Sequence, residues 1–231
     1  MAVVGHAASF KTTHRCSTMN KFTIRITDSK VAEFLAILTF GETKDIVEVA
    51  CFRAYHDMCR TIRGANGKKF SDISEEIKSA MKAKVTQTIK DRLSSMKAEC
   101  HNQNGFDHWH KETCITIQND FMKTIGNGWK LSYGQAQKWI NMALKYLYVL
   151  SYHFTESQLV LFHAPLDSYV FSVAQDELSV RKPSSCWSKL DYDRYFGYQK
   201  ELRAKVKGTT VFAWEFGAWN NEAARRGVTN A

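Results

Sequence analysis

Proline is nearly absent from this chain: Pro165 and Pro183 are the only two in 231 residues, and glycine supplies twelve. So few backbone breakers exclude a linker-rich or disordered protein. No uninterrupted apolar run approaches the length that spans a bilayer, so no transmembrane helix is expected. The six cysteines, Cys16, Cys51, Cys59, Cys100, Cys114 and Cys186, show no C-x-x-C spacing and no paired framework. They read as reduced thiols of a cytosolic, nucleoid-associated protein, and neither a zinc nor an iron–sulfur site is expected. Residues 1–27 lack Asp and Glu altogether but carry Lys11, His14, Arg15, Lys21 and Arg25. They also lack the compact apolar core of a signal peptide. That composition fits either a targeting segment or a flexible basic arm over residues 1–20 that touches DNA.

What is present favours a packed domain. The chain is 44% hydrophobic and 13% aromatic, enough to bury a core in one helical domain over residues 21–231, or in two lobes sharing it. Lys and Arg total 32 against 23 Asp and Glu, a formal charge of +9. Such a surface suits a polyanion, because phosphate contacts release counterions. A merely basic soluble protein is the plain alternative.

Periodicity decides the fold class. Lys21–Asp28 alternates Phe22, Ile24 and Ile26 with polar residues and reads as a strand. From about Thr43 the spacing turns to threes and fours through Ile46, Val47, Ala50, Cys51, Ala54 and Met58. Ser71 and the acidic pair Glu75 and Glu76 start a second helix with apolar residues four apart from Ile73 to Leu93. Its polar face holds Lys78, Lys82, Lys84, Lys90 and Arg92, which reads as a solvated face before it reads as a DNA contact. Further helices are expected over 106–125, 134–150, 168–176, 191–206 and 211–224, separated by glycine- and serine-bearing turns. The class is therefore mainly α, with about seven or eight helices and at most one or two short strands.

Residues 104–150 form a helical hairpin whose second arm carries Lys138 in its first turns. Backbone N–H groups at that helix start, with its dipole, suit a phosphate. Gly134 and Gln135, together with Lys130 and Lys145, are the expected grips on a DNA backbone; Lys145 is read as a snorkelling surface lysine. Downstream, Ala164-Pro165-Leu166-Asp167-Ser168 reads as a tight turn into another helix with Asp167 at its N-cap. A lysine and an aspartate converging on one cleft can do nucleophilic chemistry at a sugar carbon.

The segments Lys138-Trp-Ile-Asn-Met-Ala-Leu-Lys145-Tyr146 and Pro165-Leu166-Asp167-Ser168-Tyr169 resemble those of the helix–hairpin–helix DNA glycosylases. The likeness is nearest to the 8-oxoguanine glycosylases of the archaeal type, and it covers about residues 104–175. It implies that Lys138 attacks the anomeric carbon and that Asp167 assists and stabilises the cationic sugar. The products would be a free base and a Schiff base on DNA that can eliminate and nick the strand. A modified base would be the target, in repair or in attack on modified phage DNA. No cofactor and no obligate protein partner are implied. Here the family's double glycine is reduced to Gly134. Tyr169 and Val170 stand where a basic residue often follows the aspartate, and an insert containing Ser157–Leu161 precedes Pro165.

A flipped base needs aromatic faces, and Trp139, Trp129 and Tyr133 are the nearest in sequence. Trp214, Phe216 and Trp219 read as packing for the last helix, and the run Trp214-Glu215-Phe216 could instead close the base pocket. His108 and His110 splay to different sides of one helix, which excludes a metal pair. Two rival functions remain: a non-catalytic helical nucleic-acid-binding protein, and a ribonuclease using Arg53 and His56.

Overall fold

The computed structural model describes residues 29–41, 45–126 and 128–227. Among these residues the protein is mainly helical, with nine α-helices and no named strand. Two isolated β-bridges, Arg63 to Lys69 and Gly64 to Trp129, are the only extended pairings among them. The expected strand at Lys21–Asp28 and the basic arm lie outside the described residues.

In chain order the helices are α1 (Ser29–Phe40), α2 (Ile46–Met58), α3 (Glu75–Glu99), α4 (Gln103–Ile125) and α5 (Tyr133–Val149). They continue with α6 (Glu156–Leu159), α7 (Ser168–Leu178), α8 (Tyr192–Lys205) and α9 (Val211–Arg225). Helices α1 and α6 were not expected. The first is apolar on nearly every side, with Phe34, Ile37 and Leu38 exposed, so no 3.6-residue stripe announces it; the second is one turn long.

Local capping sets most boundaries. Asp45, Ser74, Asn102, Ser132, Thr155, Asp167, Asp191 and Thr210 each accept a backbone N–H at the start of a helix. A side-chain oxygen at that position satisfies a donor that the helix cannot. The start of α3 therefore lies at Ser74 and not at Ser71. Helix α4 begins at Gln103, earlier than its sequence suggests, because Gly105 lies in its first turn. A Cβ there would stand 2.5 Å from the Glu99 carbonyl oxygen. Gly126 closes α4 at a φ of +100°, a conformation that costs glycine little.

Helix α5 is the hub. Fourteen of its seventeen residues are buried, which identifies it as a helix enclosed on all sides. It packs on α2 along one side, on α4 and α8 along others, while α3 lies against α4 and α9 against α7. One hydrophobic cluster runs through these helices from Ala50 to Phe212. Trp139 is fully buried in it, and its indole N–H donates to the Cys51 carbonyl at 3.0 Å. No helix among the described residues is long and apolar enough to cross a membrane.

Candidate active site

Lys138 and Asp167 meet. Lys138 Nζ donates to Asp167 Oδ2 at 2.7 Å, with 5% and 14% of their side chains exposed. The division of labour at the carboxylate follows from the cap. Asp167 Oδ1 accepts the N–H groups of Tyr169 and Val170, both at 2.9 Å, which leaves Oδ2 free to face the lysine. Asp167 is thus an N-cap and an ion-pair partner at once. The residual exposure of its side chain places the pair at the edge of the core.

The insert before Pro165 does not separate the two groups. It forms α6, and the following Phe162-His163-Ala164-Pro165-Leu166 segment is buried. Gln137, one residue from Lys138, accepts the Leu166 N–H at 3.2 Å and donates to the Leu166 carbonyl at 3.1 Å. Gln199 from α8 holds Ala164 in the same two-handed way, at 3.3 and 2.7 Å. A buried amide that binds both backbone groups of a residue satisfies them without sheet or helix.

Behind this turn lies a continuous buried relay. Tyr133 OH is 3.3 Å from His110 Nδ1, and His110 Nε2 is 3.0 Å from Asn141 Oδ1. Asn141 Nδ2 reaches Tyr195 OH at 2.9 Å, and that hydroxyl is 2.8 Å from His163 Nδ1. His163 Nε2 lies 2.7 Å from Asp107 Oδ1, and Arg203 Nη2 pairs with Asp107 Oδ2 at 3.1 Å. With each imidazole neutral and its proton on Nε2, these bonds form one consistent chain of donors and acceptors, though Arg203 Nη1, 3.0 Å from His163 Nε2, then has no acceptor there. Burial pushes both histidines below the ordinary histidine range, well below it for His110. The bond from Asn141 Nδ2 to Gln137 Oε1, at 3.0 Å, joins the relay to the turn that carries Asp167.

A second ion pair lies on the same stripe of α5. Lys145 Nζ meets Glu215 Oε2 at 2.5 Å, and the Glu215 side chain is fully buried. Burial raises the Glu215 carboxyl above the usual carboxylate range, against the pull of Lys145, and both Lys138 and Asp167 act on it electrostatically. Glu215 Oε1 has no hydrogen-bond partner among the described residues. The Lys145 ammonium also sits 4.3 Å from the centre of the Phe216 ring. Lys145 is therefore a buried, paired residue and not a surface lysine that grips phosphate.

Three other expectations are corrected. Gly134 does not offer backbone to a phosphate: its N–H donates to the Leu190 carbonyl at 2.9 Å, and a Cβ there would stand 1.9 Å from the Trp187 carbonyl oxygen. The glycine instead lets the 187–190 segment lie across the start of α5. Gln135 is buried and engaged in its own capping box with Ser132, and its amide donates to the Thr61 carbonyl at 3.0 Å. Trp139, Trp129 and Tyr133 are core side chains, each at most 6% exposed. Trp129 packs edge-on against Phe70, and Tyr133 lies between Tyr192 and Tyr195. Of the expected grips only Lys130 stands exposed.

The aromatic faces beside Asp167 come from elsewhere. Tyr169 stacks on Trp219 at 5.5 Å with 25° between the planes. Arg226 covers Tyr169 with its guanidinium 4.4 Å from the ring centre. A cation thus stands over the position where the sequence lacks one. Glu222 anchors both Arg225 and Arg226, at 2.6 and 2.7 Å, and the two arginines reach Ser172 Oγ and the Ser168 carbonyl at 3.4 and 3.5 Å, tying the end of α9 to α7. Among the described residues no group of three or more His, Cys, Asp or Glu side chains is arranged to hold a metal ion. In comparisons with protein-family models, curated proteins and solved structures, the chain matches none.

Proposed function

We propose that this protein is a DNA glycosylase with lyase activity, acting on a modified base through Lys138 and Asp167. The observation that carries this reading is the 2.7 Å pair between a lysine in the second turn of a buried helix and the N-cap aspartate of another. The Asp167 side chain is 14% exposed, so the pair is reachable from solvent. In this reading a flipped nucleotide enters beside Tyr169 and Trp219, displacing the Arg226 guanidinium that covers the Tyr169 ring. Lys138 passes a proton to the departing base, which leaves with the glycosidic electron pair, and the freed amine bonds to the anomeric carbon. Asp167, held by its capping bonds, keeps a negative charge beside the cationic sugar, where it acts most strongly as the bond breaks. The C1′–O4′ bond then breaks with O4′ taking a proton from the attached amine, and the Schiff base so formed can eliminate the 3′ phosphate or be hydrolysed.

The test is borohydride trapping on a panel of duplexes carrying oxidised, alkylated and hypermodified bases. A covalent protein–DNA adduct that forms with the natural protein and is lost in Lys138→Gln supports the reading. Tight DNA binding with neither adduct nor base release on any duplex would leave a binding module. Strand cleavage that survives Lys138→Gln and is lost in His56→Ala would favour a nuclease.

A further inference from the structure

The start of α5 is covered by residues 187–190, so the phosphates of a bound strand need another seat. A cleft of about 500 Å³ opens between the end of α2, the turns that follow it and the start of α3. Five cations line it, Arg60, Arg63, Lys69, Lys78 and Lys82, against one carboxylate, Glu75. Like charges gathered in a concave, partly apolar site focus a field that attracts anions.

Several of these cations are held in place before any ligand arrives. Arg63 Nη1 donates to the carbonyls of Arg60 and Ile62 at 2.8 and 2.7 Å. Lys78 Nζ pairs with Glu75 Oε1 at 2.9 Å and lies 5.7 Å from the Phe70 ring centre, and Lys82 lies 5.5 and 5.7 Å from those of Phe52 and Tyr55. Arg60 and Lys69 are exposed at the rim; the Lys69 backbone N–H donates to Asp72 Oδ2 at 3.3 Å, while its ammonium and the Arg60 guanidinium make no bond among the described residues. Braced cations on an aromatic floor with free cations at the rim suit a phosphate chain. The cleft is also anchored to the helix of the candidate active site. Gln135, in the first turn of α5, donates to both Thr61 Oγ1 and the Thr61 carbonyl at 3.0 Å. The turn bearing Arg60 is therefore bolted to the helix bearing Lys138, one turn away.

We propose that this cleft is the main seat for the DNA phosphate backbone, taking the place of the covered hairpin and setting the distance from gripped phosphates to Lys138. The identity of the polyanion rests on the glycosylase reading; the seat itself does not. Arg60 and Lys69 are the residues to change, because neither braces another group. The double variant Arg60→Glu/Lys69→Glu is compared with Lys84→Glu/Lys97→Glu, an equal reversal on the exposed face of α3. Fluorescence anisotropy of an undamaged duplex across a salt series gives the readout. The cleft variant should bind at least ten times more weakly at moderate salt. Its slope of log affinity against log salt should be shallower by about two, one for each lost phosphate contact. The control pair should stay within about threefold of the natural protein.

Equal weakening in both pairs, or in neither, overturns the cleft as the seat. If binding is untouched while borohydride adducts still form, the cleft is wrong and the glycosylase reading stands. A selective loss in the cleft variant with no adduct on any duplex supports the cleft and returns the protein to a binding module. Absence of DNA binding by the natural protein sinks both.

Discussion

Removing the counter-ion of Lys145 tests whether the second pair is as dry as its geometry indicates. Glu215→Gln keeps the shape of the side chain but leaves an ammonium whose side chain is 10% exposed facing a neutral amide. Breaking a buried pair from one side costs about 3–5 kcal/mol. An upper bound follows from proton chemistry. The stranded lysine can lose its charge, and neutralising an ordinary lysine at pH 7 costs about 4.6 kcal/mol, about 1.36 kcal/mol for each of the roughly 3.4 pH units to its ordinary value. The opposite change, Lys145→Met, strands Glu215, and protonating an ordinary glutamate at pH 7 costs about 3.7 kcal/mol. The double change Lys145→Met/Glu215→Leu removes both charges and should lie within about 2 kcal/mol of the natural protein, or above it.

The two single variants carry opposite pH signatures. In Glu215→Gln burial opposes the unpaired positive charge, so stability should recover as pH rises toward 10, by at most about 1.4 kcal/mol per pH unit. In Lys145→Met the folded state holds the extra proton, so stability falls as pH rises above about 4.3. Urea unfolding followed by tryptophan fluorescence from pH 5 to 9.5 measures all four forms. Single variants costing under about 1 kcal/mol, or unfolding free energies with parallel pH slopes, would show that water reaches the pair and refute the reasoning.

Asp167→Asn keeps an oxygen for the Tyr169 and Val170 N–H groups, whereas Asp167→Ala loses the cap as well; both should lose base excision, while only the alanine variant pays the further ~1 kcal/mol of a missing cap in chemical denaturation. Gly134→Ala places a Cβ 1.9 Å from the Trp187 carbonyl oxygen, so it should lower the melting temperature by several degrees, where Gly197→Ala, which meets nothing within 4 Å, should not. His110 and His163 are depressed below the ordinary histidine value by burial. The unfolded chain therefore takes up protons that the folded one refuses, and stability should fall below about pH 6.5 by up to ~1.4 kcal/mol per pH unit for each ring. Urea unfolding at pH 7.5, 6.0 and 5.0 checks this, and a His110→Asn variant should show a shallower loss.

The helices were legible wherever their cause is local. Apolar spacing along α3, the Gly126–Gly128 stop after α4 and the Pro-x-Asp turn into α7 each act over a few residues. The cap at Asp167 could be read for the same reason. Glu215 was visible only as one member of an aromatic run, since its partner Lys145 is 70 residues distant and no local pattern joins them. Gly134 was read as a phosphate contact because a glycine at a helix start permits any close approach; which group approaches depends on a segment more than fifty residues later. The tryptophans were misplaced by proximity in sequence: Trp139 follows Lys138 directly, yet a step of about 100° along the helix turns it to α2 and into the core.

By itself the sequence determined a mainly helical protein, a lysine early in one helix and an aspartate capping another. Periodicity, capping and backbone breakers are interactions between near neighbours, and they survive in the one-dimensional record. Only the tertiary structure decided that Lys138 and Asp167 meet at 2.7 Å, because the turn between them is held by Gln137 and Gln199 from two helices. It decided equally that Lys145 turns inward to Glu215 and that the hairpin end is covered, while the cleft by Arg60 and Lys69 is an open basic concavity among the described residues. Those outcomes belong to packing, where the side chain that fills a space, and not the one nearest in sequence, becomes the neighbour.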